Sequence, residues 1–221
     1  MRNFGGLVIS AMSAFLPFFR QTLKAFHTTG AVAPSSAALG RALAAPLCQR
    51  GEEPVEFLEA GPGTGALTIG ILPHLRDGDR LTLCEINADF CDHLEKLFQN
   101  SKPYATYRDR VTIHHGAVED LPSERRFAHV VCGIPFNNFP PSQVEQIFGS
   151  LRGRLETGGT LNFFEYAAIR SLKRPFVSSA ERARLDAVEA IISALVTGHQ
   201  VQARLVMGNF PPAWARSLCF K

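Results

Sequence analysis

Short apolar runs alternate with amphipathic stretches along most of the chain. Runs rich in β-branched, aromatic and leucine residues predict buried strands, at 55–58, 81–84, 111–114, 128–132 and 160–164. Apolar residues at helical spacing predict helices between them, over 67–75, 88–98 and 141–155. This alternation is typical of an α/β fold with a doubly wound, mostly parallel sheet.

Two regions flank this pattern. A helix is predicted before the first strand, through Leu39, Leu43 and Leu47, with Ser35 or Ser36 as its N-cap. After the fifth strand, an amphipathic helix is predicted around 185–195, and two strands follow it at 201–207 and 215–220. Glycine, asparagine and proline between these strands favour a turn. We therefore expect a seven-stranded sheet that finishes in an antiparallel hairpin.

The first 27 residues have an apolar pattern of their own. Residues 4–19 carry no charge, but they are too few and too interrupted to suit a spanning helix, and the stretch lacks a good signal-peptide cleavage region. Apolar side chains recur at helical spacing, at Phe15, Phe19, Leu23 and Phe26. The pattern predicts an amphipathic helix over 1–27, either in a membrane interface or packed on the domain of residues 28–221.

Composition limits the possible classes of protein. The 221 residues are 46% hydrophobic and carry a formal net charge of +3, which suits one globular core and gives no sign of a charged tail for nucleic acid. The five cysteines show no C-x-x-C spacing, and Cys84 and Cys132 fall on predicted buried strands. This favours reduced thiols in a cytoplasmic protein over disulfides or zinc.

The most specific feature is a glycine loop after the first predicted strand. It begins with Glu59 and has glycine at three alternate positions, Gly61, Gly63 and Gly65. Backbone without Cβ atoms allows a ligand to approach closely. The second predicted strand ends in Glu85, twenty positions after Gly65, where nucleotide-binding βαβ units place the acid that binds ribose hydroxyls.

The acid in front of the loop points away from a phosphate ligand. Glu59 would repel phosphate, but it suits the cationic amino-acid end of S-adenosylmethionine. The E-x-G-x-G-x-G sequence resembles motif I of the Rossmann-like class I methyltransferases. This resemblance implies S-adenosylmethionine as cofactor, with S-adenosylhomocysteine as product, held by residues near the strand ends. The candidate cofactor-binding residues are Ser35, Glu59, Gly61, Gly63, Gly65, Glu85, Ile86, Ala117, Val118 and Gly133.

The loop after the fourth predicted strand is the candidate acceptor site. In doubly wound folds ligands bind beyond the carboxyl ends of the strands, so residues 132–140 face the same crevice as the glycine loop. Nucleobase N6 methyltransferases have a polar residue in this loop that accepts hydrogen bonds from the exocyclic amine. Gly133 stands at that position here. An unpaired adenine amine would cost about 1–3 kcal/mol, which disfavours RNA adenine as the acceptor.

Three segments resemble the bacterial phospholipid N-methyltransferases and the related ornithine-lipid enzymes. They are the N-terminal segment with its G-A-x-x-P-S-S loop at 30–36, the cofactor loop at 59–68, and the G-x-P acceptor loop that begins at Gly133. The resemblance implies an enzyme on the inner face of the cell membrane that methylates a lipid head-group amine, of phosphatidylethanolamine or of ornithine lipid. The stretch Gly116 to Glu119 departs from the Gly-Asp-Ala of related enzymes, so adenine recognition falls to backbone near Val118 or to Glu119.

Acceptor residues follow from the same placement. Aromatic and acidic groups at the ends of adjacent strands suit an amine that becomes a cation, and basic residues after the fifth strand suit lipid phosphate. The candidate catalytic residues are Phe136, Glu165 and Tyr166, and the candidate substrate-binding residues are Pro135, Asn137, Asn138, Arg170, Lys173 and Arg174. Alternatively, Phe136 belongs to the core, Glu165 is a solvated strand-end acid, and the basic run from Arg170 to Arg184 is a solvated face.

Other functions stay open at this stage. An RNA adenine or small-molecule methyltransferase is the main alternative enzyme, and a silent cofactor-binding protein is the alternative of another class. His114, His115 and His199 lack ligand spacing, so no metal is expected. Nucleic acid is not an expected partner, whereas a lipid substrate and an anionic membrane surface are.

Overall fold

The computed structural model describes residues 37–46, 51–167, 178–209 and 211–220. They contain one seven-stranded sheet with the strand order β3-β2-β1-β4-β5-β7-β6. The strands are β1 Glu56–Ala60, β2 Arg80–Glu85, β3 Val111–His115, β4 Phe127–Cys132, β5 Leu155–Tyr166, β6 Gln200–Val206 and β7 Ala213–Cys219. The five N-terminal strands pair in parallel, and β7 pairs antiparallel with both β5 and β6. The predicted Rossmann-like sheet with its C-terminal hairpin is confirmed.

Helices cover the sheet between successive strands. They are α1 Ala37–Ala44, α2 Thr68–Ile71, α3 Ala88–Asn100, α4 Pro141–Gly153 and α5 Ser179–His199, with short 3-10 helices at Leu72–His74, Tyr104–Arg110, Val118–Asp120 and Phe136–Asn138. The middle strands supply the centre of the core: Phe57, Leu58, Leu83 and Val130 are at most 1% exposed. Residues with so little exposed surface fix the register of the sheet, because a slip by one position would turn them outward.

Several element boundaries differ from the sequence-based expectation, and two of the differences have a clear physical reason. The helix predicted over 67–75 is a single α-helical turn that continues as 3-10 helix, with Pro73 at the start of the 3-10 turn. Proline lacks the amide that a continuing helix needs. The α-helix that follows the glycine loop is therefore one turn long. Strand β5 begins at Leu155, five residues early, and its exposed polar start hid it from the hydrophobic pattern.

A close backbone contact between α1 and α2 constrains the segment that follows the glycine loop. A Cβ on Gly40 would lie 2.3 Å from the carbonyl oxygen of Leu67, and one on Gly70 would lie 2.5 Å from the amide nitrogen of Arg41. Neither helix can carry a side chain at this crossing without moving away. The pair of glycines thus lets α1 press directly on the turn that follows the cofactor loop.

The predicted N-terminal helix over 1–27 lies outside the described residues. Within the described part of the chain, no helix has both the length and the apolar character needed to cross a bilayer.

The glycine contact predicts opposite effects of two Gly→Ala substitutions. Gly70→Ala should destabilise the protein by about 1–3 kcal/mol, because the added methyl group meets backbone rather than a side chain that can turn away. The matched control is Gly149→Ala in α4, where nothing lies within 4 Å, and it should stabilise by about 0.5–1 kcal/mol. Urea unfolding of both variants measures the two values. Equal effects would mean that the α1–α2 contact is not as close as described.

Candidate active site

The glycine loop has three residues in the left-handed region of backbone space. Gly61, Gly63 and Gly65 have φ values of +70°, +55° and +81°. Other residues adopt such angles at a cost, so the alternation of glycine is a conformational requirement of the loop. A Cβ on Gly65 would lie 3.3 Å from side-chain carbons of Leu94 and Leu97, whereas one on Gly63 would meet nothing within 4 Å. The space over Gly63 is therefore open to a ligand.

Glu59 is a fully buried carboxyl at the end of β1. Its Oε2 accepts a 2.8 Å hydrogen bond from the hydroxyl of Thr68, and its Oε1 has no hydrogen-bond partner. Burial, only partly offset by the Thr68 bond, and the nearby Glu85 carboxylate raise the pKa of Glu59 to about 8. A buried acceptor without a donor is costly, so a cationic or hydrogen-bonding ligand at this point would be stabilised. The amino-acid end of S-adenosylmethionine carries such an ammonium group.

Glu85 joins the second strand to the glycine loop. Its Oε2 accepts from the amide of Gly63 at 3.0 Å, and its Oε1 accepts from the amide of Asn87 at 2.9 Å. Burial raises the pKa of Glu85, and these backbone bonds together with Ile86 oppose that rise. A carboxylate offers about four acceptor positions, so acceptor capacity remains after these backbone bonds and suits a ribose hydroxyl. Glu59, the three glycines and Glu85 are therefore brought together, and they fit the cofactor.

Tyr104 contacts the C-terminal end of the glycine loop. Its hydroxyl donates to the carbonyl oxygen of Gly65 at 3.1 Å, and its ring meets Phe98 edge to face at 5.4 Å. No sequence pattern singles out this residue, because Tyr104 lies in a 3-10 helix with no recognisable motif. The contact is a tertiary one between segments 39 positions apart, which periodicity does not show.

The loop after β3 lies beside Glu85. The amide of Gly116 donates to the carbonyl oxygen of Glu85 at 2.9 Å, and the amide of Ala117 donates to Oδ2 of Asp120 at 2.8 Å. Arg154 fastens the other end of this loop through bonds to the carbonyls of Glu119 and Leu121. The Ala117 amide is therefore already hydrogen-bonded, and the Glu119 side chain is exposed. Adenine recognition by backbone near Val118 stays a prediction.

The acceptor loop presses on the glycine loop at Gly133. Its amide donates to the carbonyl oxygen of Ala60 at 2.8 Å, and a Cβ at this position would lie 2.5 Å from the carbonyl oxygen of Gly61. Any side chain here would force the two loops apart. The absence of a polar acceptor, noted from the sequence, therefore has a structural reason: this arrangement of the loops has no room for one.

Phe136 lies in the core beneath the acceptor loop. It is 3% exposed, stacks on Phe148 with ring centroids 4.4 Å apart, and meets Phe163 edge to face at 5.9 Å. The interpretation of Phe136 as a core residue therefore fits its position, because a ring packed on two others does not offer its face to a methylated cation. Pro135, Asn137 and Asn138 are half-buried in the same loop.

Glu165 and Tyr166 end β5, but Glu165 is neither solvated nor unpaired. It is 8% exposed and its Oε2 accepts from Nε of Arg216 on β7. Arg216 also donates to Oε1 of Gln200 at 2.7 Å. Tyr166 is 9% exposed and packs edge to face on Phe164. The antiparallel register of β5 and β7 sets Phe163 opposite Arg216, two residues from Glu165, so the ion pair depends on the pairing of two strands that are not consecutive in sequence.

The described part of the chain does not include four of the predicted site residues. Ser35, Arg170, Lys173 and Arg174 lie outside the described residues.

Burial raises the pKa of Cys132 to about 12, so this thiol at the start of the acceptor loop does not serve as a nucleophile. In the described ranges, no cluster of three His, Cys, Asp or Glu side chains could hold a metal ion.

Residues 57–159, just under half of the chain, match a family model described as a methyltransferase domain. The matched segment includes Glu59, the three glycines of the loop, Glu85 and Gly133. Together with the buried acids and the glycine loop, this match confirms the expected S-adenosylmethionine-dependent methyltransferase and its cofactor. A search of curated proteins found no significant match.

Solved structures share the fold at low sequence identity. A putative O-methyltransferase from Klebsiella pneumoniae is 18% identical over 93% of this chain and 90% of its own, with a TM-score of 0.63. An O-methyltransferase from Bacillus cereus, in complex with S-adenosylhomocysteine, is 14% identical over 92% and 91%, with a TM-score of 0.64. An N-methyltransferase from Bradyrhizobium japonicum is 15% identical over 82% and 83%, with a TM-score of 0.53. Enzymes with oxygen and nitrogen acceptors are thus among the structures that share this fold.

The pKa of Glu59 predicts proton release when the cofactor binds. A carboxyl with a pKa of about 8 is mostly protonated at about pH 7, and an adjacent ammonium group favours its ionised form. Binding should therefore release most of one proton at about pH 7, and this release should fall as the pH rises above about 8, where the carboxyl is already ionised. Calorimetry in two buffers of different ionisation enthalpy measures this release.

The control for this measurement is Glu59→Gln. It keeps the shape of the side chain and removes the titrating group, so its binding enthalpy should not depend on the buffer. A buffer-independent enthalpy for the wild-type protein at about pH 7 would contradict the assigned role of Glu59.

Proposed function

We propose that this methyltransferase transfers a methyl group to the amine of a membrane-lipid head group. Phosphatidylethanolamine and ornithine lipid both present such an amine. The observation that carries the proposal is the contact of Gly133 with the Gly61 carbonyl, which leaves no room for the polar side chain used by adenine methyltransferases. A lipid amine has other polar head-group atoms close to it, so its binding does not require a polar side chain at position 133.

An amine acceptor makes modest demands on the protein. The cofactor supplies an electrophilic sulfonium methyl group, so a neutral amine needs mainly alignment and the exclusion of water. Glu165, already paired with Arg216, would orient the amine as a polar group rather than attract it as a free charge. With Phe136 in the core, Tyr166 is the remaining candidate for an aromatic contact with the more substituted ammonium product, a contact worth about 0.5–2 kcal/mol.

The lipid part of the proposal rests on the N-terminal segment. The spacing of Phe15, Phe19, Leu23 and Phe26 favours a helix in the membrane interface, followed by the loop that resembles the phospholipid enzymes. Peripheral association with the inner face of the cell membrane belongs to the same proposal. It would place the crevice beside amines that do not leave the bilayer.

A transfer assay with labelled cofactor tests the proposal. The full-length protein is given vesicles that contain phosphatidylethanolamine, vesicles that contain ornithine lipid, soluble ethanolamine, or RNA, in separate reactions. We expect label on a lipid amine, and soluble ethanolamine should react at least about tenfold more slowly because it lacks the local concentration that a surface provides. Vesicles of phosphatidylcholine alone are the control, since their head group has no free amine.

Two results would contradict the proposal. Transfer to RNA adenine without transfer to lipid would mean that the acceptor loop recognises a base without a side chain at position 133. Equal rates with soluble and vesicle-bound amines would contradict a lipid substrate and would favour a small-molecule N-methyltransferase.

A further inference from the structure

Arg184, on the first turns of α5, reaches back to the acceptor loop. Its Nη1 donates to the carbonyl oxygen of Phe139 at 2.7 Å, and its Nη2 donates to the carbonyl oxygen of Asn137 at 2.8 Å. The residues are 45 and 47 positions apart in sequence, so these bonds join two separate parts of the fold. A guanidinium group that bonds two backbone carbonyls of one short turn restricts both the position and the orientation of that turn.

Glu181 holds the guanidinium in place. Its two carboxylate oxygens accept from Nε and Nη2 of Arg184 at 2.8 and 2.6 Å. The amide of Glu181 in turn donates to the hydroxyl of Ser178, the N-cap of α5. Because the carboxylate neutralises the guanidinium, Arg184 does not present a free positive charge for a lipid phosphate, as the basic run had suggested.

Arg184 binds backbone carbonyls of the 136–139 turn that the turn's own hydrogen bonds leave over. The amides of Asn138 and Phe139 already bond the carbonyls of Pro135 and Phe136, which closes the 3-10 turn from within. The carbonyls of Asn137 and Phe139 take no part in those two bonds, and they are the ones that Arg184 binds. Buried aromatic rings anchor the turn from below, and Arg184 anchors its backbone from the side of α5.

We infer that Arg184, fixed by Glu181, is a positioning residue for the methyl acceptor. It acts through the backbone of residues 137–139 and not by contact with the cofactor. The inference rests on the proposed function only in taking this loop as the acceptor side of the crevice. Misplacement of the reacting atoms by about 1 Å is costly, so a loosened turn should slow methyl transfer. The glycine loop and Glu85, which Arg184 does not contact, should still bind the cofactor.

The test uses Arg184→Met, which keeps the length of the side chain and removes all its donors. Hydrogen exchange of the peptide spanning 133–140 should become faster, the affinity for S-adenosylhomocysteine should stay within about twofold, and kcat should fall by about tenfold or more. Arg184→Lys should recover little activity, since a single ammonium cannot bond Glu181 and both carbonyls in the same geometry. The matched control is Arg204→Met at an exposed position on β6, which should match wild type in all three measurements.

Chemical rescue separates positioning from a general loss of structure. Added guanidinium, at a concentration that does not unfold the protein, should restore part of the activity of Arg184→Ala, and sodium chloride of equal ionic strength should not. Unchanged exchange of the 133–140 peptide in Arg184→Met would overturn the inference, whichever acceptor is used. Faster exchange with unchanged kcat would overturn it as well. Failure of the lipid proposal is distinct, because the wild-type protein itself would then not label lipid.

Discussion

The close approach of the loops after β1 and β4 constrains the rest of the site. The amide of Gly133 bonds the carbonyl of Ala60, and the carbonyl of Gly61 lies where a Cβ of residue 133 would stand. The amide of Gly61 bonds the carbonyl of Cys84 in the same way on the other side. The ladder of β1 thus continues one step past its strand toward both neighbours. The distance between the cofactor loop and the acceptor loop is therefore fixed by backbone, which is more rigid than side-chain packing.

Two buried carboxyl groups explain which ligand this rigid frame favours. Glu59 and Glu85 end adjacent strands, both lose solvent on folding, and the Glu85 carboxylate adds to the burial that raises the pKa of Glu59. One oxygen of Glu59 has no donor, and Glu85 retains acceptor capacity. A ligand with an ammonium group at one end and a ribose diol at the other relieves both costs. S-adenosylmethionine has these two groups, and the glycines give it access to the backbone.

Much of the fold was predictable because it follows from periodicity. The five parallel strands, the C-terminal hairpin and the three-glycine loop each have a local signal, although β3 has no fully buried residue. The glycines have positive φ values, which other residues adopt only at a cost. Residues that act across the fold had no such signal. Tyr104, Arg184 and Arg216 find their partners through tertiary contacts 39 to 51 positions away, so their roles depend on the assembled sheet. Phe136 shows the reverse case, since its place at a strand end suggested chemistry while its ring fills the core.

The central claim is that the glycine loop and the acid of β2 together bind S-adenosylmethionine. Calorimetric titration of S-adenosylhomocysteine into Glu85→Gln tests it most directly, with Glu95→Gln on the exposed face of α3 as the control. Loss of charge-assisted hydrogen bonds should cost about 1.5–3 kcal/mol, so the affinity of Glu85→Gln should fall by about tenfold or more while Glu95→Gln binds as wild type does. A folded Glu85→Gln protein that binds with unchanged affinity would contradict the account.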